Sequence, residues 1–528
     1  MSIRIALDQP PEFYTNLDFL SGRVLLNLQR PETIGNVIIK LEGESRTALM
    51  APTPGSYRGD TSGDSIVTEN HKILYKVFQC FPDDGVALTY SPGNHVFKFD
   101  FKLPLNNICH DAKMMGSMIG VGGPNGGGLL GKSGFRTMDA TKQLMLHHVK
   151  ATLPPSLTGF PQMAEIRYYV KVTIQRPGIF KENWRYQLGF KFLPIEPPRK
   201  PASRQEAFAR RPFTFKPRTP LPSSRKSFFG SNKFPGARDP STPNPPSIEM
   251  SARLPFPSIL TCNESLPLRL IAKKLVPTSE QVYITALEVV LVGYTQVRVQ
   301  NLENIRRTVW VIVSTTKLSI ELGKSTDAVD TEFEIPKTLW ENRRLHNTIA
   351  PTFKTCNVSR RYELEVRLSL SWGLPESSGK TKEGFIPQVI SLPLKISKID
   401  VFSGIKPPAQ LLQSATYTTA PQGSSSSSTR PSAHVNTSTN NTTITMNGNS
   451  PRPPNRPGAD GNPSMPPRPS DPLYPPQLGP DNVPGYDDAP PSYDEAMAEM
   501  LTGPSERPAY SGVTAENAPS TMPGDEKN

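Results

Sequence analysis

GNHVFKFDFKLP, residues Gly93–Pro104, sets Phe97, Phe99 and Phe101 on one side of an extended chain and Lys98 and Asp100 on the other. Side chains alternate across a strand, so this period of two describes a half-buried β-strand with one apolar and one charged face. The pattern recurs around it: Ile3-x-Ile5-x-Leu7, Val24–Leu28, Val37–Leu41, Ile73–Val77 and Tyr168-x-Val170-x-Val172-x-Ile174 all fall within residues 1–197. Short strands at regular spacing, split by turn residues and without a long helical pattern, predict an all-β sandwich. Leu266-x-Leu268-x-Leu270, Val282–Val299, Thr308–Val313, Leu364–Leu370 and Val389–Ile396 repeat the style in residues 251–402, which predicts a second sandwich.

The chain has 528 residues, room for two or three domains, yet 58 prolines against 36% hydrophobic content mean that much of it is not packed core. Residues 198–250 form a basic Pro/Phe-rich linker in this reading. From Arg199 to Arg238 there are 11 Lys/Arg against one acid, Glu206, with Phe208, Phe213, Phe215, Phe228, Phe229 and Phe234 interleaved. That composition predicts a contact with anionic lipids through Arg210, Arg211, Lys216, Arg218, Arg225 and Lys226, at about 1 kcal/mol per basic residue near the surface. The competing reading is an insertion packed in part against the domains. Ser227, after Arg225 and Lys226, is a candidate phosphosite, where phosphate would offset the linker's positive charge.

Residues 403–528 are rich in Pro, Ser, Thr, Asn and Gly and low in apolar residues, so a disordered tail is expected. This tail holds 7 basic and 12 acidic residues, a net −5, so the overall +12 leaves +17 on residues 1–402. A basic body with an acidic tail does not have the form of a nucleic-acid module, and it suits anionic membrane surfaces or acidic peptide segments.

Near the acidic end stands Pro490-Pro491-Ser492-Tyr493-Asp494-Glu495. The two prolines fix φ near the polyproline II value, so little ordering entropy is lost when the segment docks in the aromatic groove of a WW domain. Ser492 and Glu495 have capping-box spacing and Asp494 falls in the first turn, so a short helix, DEAMAEML, follows the motif and adds a second contact. Pro472 and Tyr474, Pro484 and Tyr486, and Pro508 and Tyr510 keep the proline–tyrosine spacing without the first proline, as weaker secondary WW sites that raise avidity. About 90 residues of flexible chain between the second sandwich and Tyr493 give a reach on the order of 50 Å.

Signals for catalysis are weak. Gly126–Ser133 matches the G-x-x-x-x-G-K-S pattern, but no buried strand precedes it and no βα alternation surrounds it; it reads as a Gly-rich loop insertion over residues 109–143 of the first domain. Cys80, Cys109, Cys262 and Cys356 are scattered without a C-x-x-C, as reduced thiols of a cytosolic protein would be. The seven histidines show no metal-ligand spacing, and the adjacent His147 and His148 would point to opposite faces of a strand. Glu42 and Glu44 share a strand face that would commonly be solvated. The expectation is no metal, no cofactor and no enzymatic activity. No apolar run approaches the roughly 18 residues of a membrane span, and the start lacks a secretory pattern.

Two stretches resemble a known family. Gly93–Pro104 resembles the arrestin N-domain strand that ends in Leu-Pro, and Ile166–Arg199, IRYYVKVTIQRPGIFKENWRYQLGFKFLPIEPPR, resembles the closing strands of fungal α-arrestins, the arrestin-related trafficking adaptors. The resemblance implies two immunoglobulin-like sandwiches, arrestin-like N- and C-domains, in a saddle. It also implies an adaptor that recruits a WW-domain HECT-type ubiquitin ligase to plasma-membrane transporters or receptors, with Pro490, Pro491 and Tyr493 as the ligase-binding residues. The expected location is cytoplasmic, peripherally at the plasma membrane or endosomes. Alternatives are a scaffold linking a membrane receptor to endosomal sorting signalling, a sorting-coat subunit resembling the retromer arrestin-like subunit, which would not need Tyr493, and a P-loop nucleotide-binding protein.

Overall fold

The computed structural model describes residues 1–51, 65–80, 86–109, 148–160, 163–178, 181–201, 203–218, 244–374, 386–412, 498, 500–504, 506–512 and 514. Ten strands build the first sandwich: β1 (Ser2–Leu7), β2 (Phe19–Leu28), β3 (Glu32–Ile34), β4 (Asn36–Ala51), β5 (Ser65–Gln79), β6 (Leu88–Tyr90), β7 (Gly93–Lys102), β8 (Leu157–Phe160), β9 (Ala164–Gln175) and β10 (Trp184–Phe190). One sheet runs β1-β2-β7, the facing one β10-β9-β4-β5 with β8 on β9, and β3 pairs with β6. Alternation fixes the register: Leu20 lies opposite Phe101 and Val24 opposite Phe97. Phe99 and Phe101 are buried while Lys98 and Asp100 face water. Val37, Ile39, Leu41, Ile73, Val170, Val172 and Ile174 line the opposite face of the same core.

The second sandwich holds β11 (Glu206–Thr214), β12 (Ser247–Pro255), β13 (Ile259–Thr261), β14 (Arg269–Lys274), β15 (Val282–Val299), β16 (Leu302–Glu321), β17 (Glu332–Glu334), β18 (Phe353–Lys354), β19 (Val358–Trp372) and β20 (Gln388–Phe402). Its sheets run β11-β12-β14-β17 and β13-β20-β19-β15-β16, with β18 on β19. Here the chain departs from the expected 198–250 linker. β11 arises inside that segment as an edge strand on β12, whose first residue, Ser247, also falls within it. The phenylalanines explain why. Phe215 is buried edge-on to Trp372, 6.1 Å between centroids, and Phe213 packs at 5.1 Å from Phe215. Pro212 is tolerated because an edge strand has ladder positions without a partner.

The second sandwich contributes to the core of the first. Val297 and Val299 at the end of β15, with Ala350, Phe353, Cys356 and Val358, are buried in the hydrophobic cluster of the first sandwich. Polar groups at this seam are paired. Ser45 Oγ donates to Asn357 Oδ1 (2.6 Å), Asn357 Nδ2 donates to Ser45 O (3.0 Å) and Thr47 Oγ1 (3.1 Å), and Thr47 Oγ1 donates to Arg298 O (2.8 Å). Such pairing is what buried polar groups require.

Glu42 and Glu44 do not stand on a solvated face, as the sequence suggested. A register shift at Gly43/Glu44 and the side chain of β5 turn them toward Lys72, and all three are buried. Lys72 Nζ donates to Glu42 and, at 2.6 Å, to Glu44; the single proton of Tyr169 Oη is shared between the two carboxylates (2.8 and 2.6 Å), and Arg167 Nη2 donates to Glu44 (3.0 Å). Gly43 has no room for a side chain, since a Cβ would lie 2.8 Å from the Tyr168 ring. Burial opposes ionisation of Glu44, but Lys72 and then Arg167 outweigh it and hold the carboxyl below the ordinary range. A depressed carboxyl stabilises the fold fully above the unfolded value of about 4.3, and that contribution is lost as pH falls below it. Lys72→Met removes the shared cation and strands two buried carboxylates, so urea unfolding should show a loss of about 3–5 kcal/mol at neutral pH. The loss should shrink as the pH falls and the carboxyls take up protons.

Candidate functional site

Pro490, Pro491, Tyr493, Asp494 and Glu495 lie outside the described residues, as do Pro472, Tyr474, Pro484, Tyr486, the loop at 126–133, Arg225, Lys226 and Ser227. The chain is described again at Ala498, where the helical stretch expected after the motif ends: Ala498 and Met500 are helical, one buried and the other exposed. From there the chain is fastened to the body. Ala498 joins a small apolar cluster of Phe13, Leu17, Leu193, Ile195, Ile405 and Leu411, with Leu501 and Tyr510 packed against it.

Polar contacts fix the register of this segment. Lys102 Nζ donates to Ala498 O at 2.9 Å. Arg507 donates through Nη1 to Phe13 O and through Nη2 to Asp18 Oδ1, both at 2.7 Å. Farther on, Asn347 Nδ2 donates to Ala509 O (2.8 Å) and Ser511 N to Asn347 Oδ1 (2.7 Å), so the segment runs from the first sandwich onto the second. Gly503 lies where no side chain fits, since a Cβ would sit 2.3 Å from Asp18 Oδ1.

Electrostatics make Asp18 the pivot. Burial pushes its carboxyl above the ordinary range, and the Thr15 N–H and Arg507 pull it back only in part. Arg507 therefore compensates a carboxylate that the fold has taken out of water. Lys191 is a second buried charge: its Nζ sits 4.0 Å from the centre of the Tyr510 ring, with no hydrogen bond among the described residues, and burial brings its pKa down to about 8. The proline–tyrosine pair Pro508 and Tyr510, expected as a secondary WW site, thus has its tyrosine against Lys191 and, at 5.9 Å between centroids, Phe13.

The expected lipid-contact residues divide. Arg210, Arg211 and Lys216 are exposed on or just after β11, and Arg210 lies over the exposed Phe208 ring at 4.3 Å. Arg218 instead stacks on Trp372 at 4.1 Å, donates to Trp372 O and pairs with Glu280 at 3.5 Å. It is committed to the fold. One constellation escaped the sequence reading altogether: His71, Cys109, His148 and Cys356 meet at the seam between the sandwiches. Their spacing carried no signal because four separate segments supply them.

Removing the anchors has a defined readout. Gly503→Val and Arg507→Glu should each raise amide hydrogen exchange over residues 500–512 by about ten- to a hundredfold, the equivalent of about 1.5–3 kcal/mol for a lost charge-assisted bond. Exchange in β4 and β15 should stay unchanged.

Comparison with known proteins follows this geometry. The family described as arrestin (or S-antigen), N-terminal domain, matches residues 3–113, which span β1 to β7 and Cys109. A curated relative, the "Arrestin-related trafficking adapter 10" of Lachancea thermotolerans, is 26% identical over 143 residues, covering 23% of this chain and 33% of the relative. The match thus spans about a third of that relative's length. The chain thus carries an arrestin amino-terminal domain, completed by a second sandwich, and is similar over part of its length to an arrestin-related trafficking adapter.

Proposed function

We propose that the chain is a trafficking adaptor that recruits a WW-domain HECT-type ubiquitin ligase through Pro490, Pro491 and Tyr493 and brings it to cytoplasmic segments of membrane transporters or receptors, promoting their ubiquitination and endocytosis. The name of the curated relative supports the trafficking role. The ligase arm rests on the position of the motif: Tyr493 stands five residues before Ala498, which is held on the body by Lys102. Five residues of extended chain reach at most about 18 Å. A ligase bound at Tyr493 therefore works beside the anchored segment, not at the end of a 90-residue tether.

Asp494 and Glu495 add charge at the start of the following helix, and Pro472, Tyr474, Pro484 and Tyr486 provide the secondary sites. Pro508 and Tyr510 join them only when the segment undocks. The reading includes a cytoplasmic location, peripherally at the plasma membrane or endosomes; the exposed Arg210, Arg211, Lys216 and Phe208, a basic edge with one apolar ring of the kind that anionic lipids attract, support it. Arg225 and Lys226 extend it, and phosphate at Ser227 weakens it.

Tyr493→Ala in the full chain should lower affinity for a tandem WW-domain fragment by at least about tenfold, or 1.4 kcal/mol. It should also abolish ubiquitin transfer to the adaptor in a reconstituted reaction. Binding unchanged in Tyr493→Ala and in a variant also carrying Tyr474→Ala and Tyr486→Ala would remove the ligase from this reading.

A further inference from the structure

The group at the seam has the makings of a metal centre. His71 comes from β5, Cys109 from the segment after β7, His148 from the return of that connection, and Cys356 from the turn between β18 and β19. One ligand atom from each lies within 4.8 Å of every other. Cys109 Sγ and Cys356 Sγ are 3.3 Å apart, and His148 Nδ1 is 4.0 Å from Cys356 Sγ. The two sulfurs are much farther apart than the roughly 2.05 Å of a disulfide and near the edge of a tetrahedron with metal–sulfur bonds of about 2.3 Å.

The surroundings are those of ligands rather than of packed core. His71 is fully buried, and its Nδ1 makes no hydrogen bond. Its Nε2 lies 2.6 Å from Glu69 Oε1, and Glu69 is itself held by Arg298 Nη2 at 3.0 Å and by the backbone N–H of Gln300. A carboxylate on one ring nitrogen keeps the proton there and leaves a lone pair on the other, the arrangement that orients metal-binding histidines. Both sulfurs accept N–H groups: Asn107 Nδ2 on Cys109 (3.2 Å) and Val149 N on Cys356 (3.3 Å). The buried imidazole of His71 and the two sulfurs thus stand within reach of one another.

We propose that His71, Cys109, His148 and Cys356 bind one divalent zinc ion that joins the two sandwiches. Two thiolates and two imidazoles suit this borderline-soft ion and close a tetrahedron, leaving no position for substrate, so the centre is structural. Two thiolates also neutralise the ion, which lets the complex sit in a buried seam. Three ligands belong to the first sandwich and Cys356 to the second, so the ion is a cross-brace between them. It also fixes both ends of the connection that runs from Cys109 to His148.

The test is the metal content of the full chain, purified under reducing conditions without chelator. Elemental analysis should give about one zinc per chain in the wild type and a loss of most of it in Cys356→Ser and His71→Ala. Chelation should lower the melting temperature of the wild type and leave Cys356→Ser unmoved. Should the variants fail to fold, cobalt exchange into the wild type is decisive: the visible bands of tetrahedral cobalt together with thiolate-to-cobalt charge transfer support the site. Wild type free of metal and unable to take up cobalt would overturn it. So would zinc retained equally in both variants, or a Cys109–Cys356 disulfide in a non-reducing peptide map of the wild type.

Discussion

The first sandwich of this protein has no complete interior without the second. Val297, Val299, Phe353 and Val358 of the second are buried in the core of the first, and Asn357 is hydrogen-bonded to Ser45 and Thr47. A domain that exposed those valines would bury less apolar surface, and one that exposed Ser45 or Asn357 would exchange protein partners for water. The seam is therefore part of the first core, and rigid-body motion between the sandwiches would have to break apolar contacts and hydrogen bonds together. Ordinary interdomain surfaces are smaller and more polar, and motion across them is the default. Here the packing argues against it.

The polar residues at the seam divide the labour. Glu69 stands at the centre: its carboxylate meets His71, Arg298 and the backbone of Gln300, reaching from β5 to the turn of the hairpin of β15 and β16. Burial opposes its charge, and those partners outweigh burial and hold the carboxyl below its ordinary range. The same logic governs Lys72 between Glu42 and Glu44 on the neighbouring strand. Buried ions are weak evidence of net stability, but they penalise any register in which a partner is missing. In a sheet, where a one-residue slip turns every side chain over, that penalty is a device for register.

How much of this was legible in the sequence follows from the range of each signal. Strands with local alternation, such as Phe97–Phe101 and Tyr168–Ile174, announce themselves, because the period of two needs no knowledge of distant residues. β11 did not, because Ala207 and Ala209 are weak markers of an apolar face and Arg210, Arg211 and Pro212 read as solvent-exposed linker. Glu42 and Glu44 were set on a solvated face because their cation, Lys72, is 28 and more residues away. The seam cysteines and histidines were the least legible. Cys109 and Cys356 are 247 residues apart, and no local spacing rule applies when the topology of two domains makes the contact.

The fastened end of the tail bears on the proposed docking role of Tyr493. A motif on a free tether is present at an effective concentration set by chain length, and that concentration falls as the tether grows. Anchors at Leu411 and at Ala498 turn the intervening chain into a closed loop, and its length no longer sets how far Tyr493 lies from the body. What sets it is the short step to Ala498. The anchor is itself conditional, since beyond its small apolar cluster it rests on separate polar contacts: Lys102 on Ala498 O, Arg507 on Asp18, Asn347 on Ala509 O and the Tyr510 ring over Lys191. Each contact is modest. Such a segment sits at the low end of a protein's range of local stability, where the elements that open and close are found. A segment held this way opens and closes on its own contacts, while the seam between the sandwiches stays fixed.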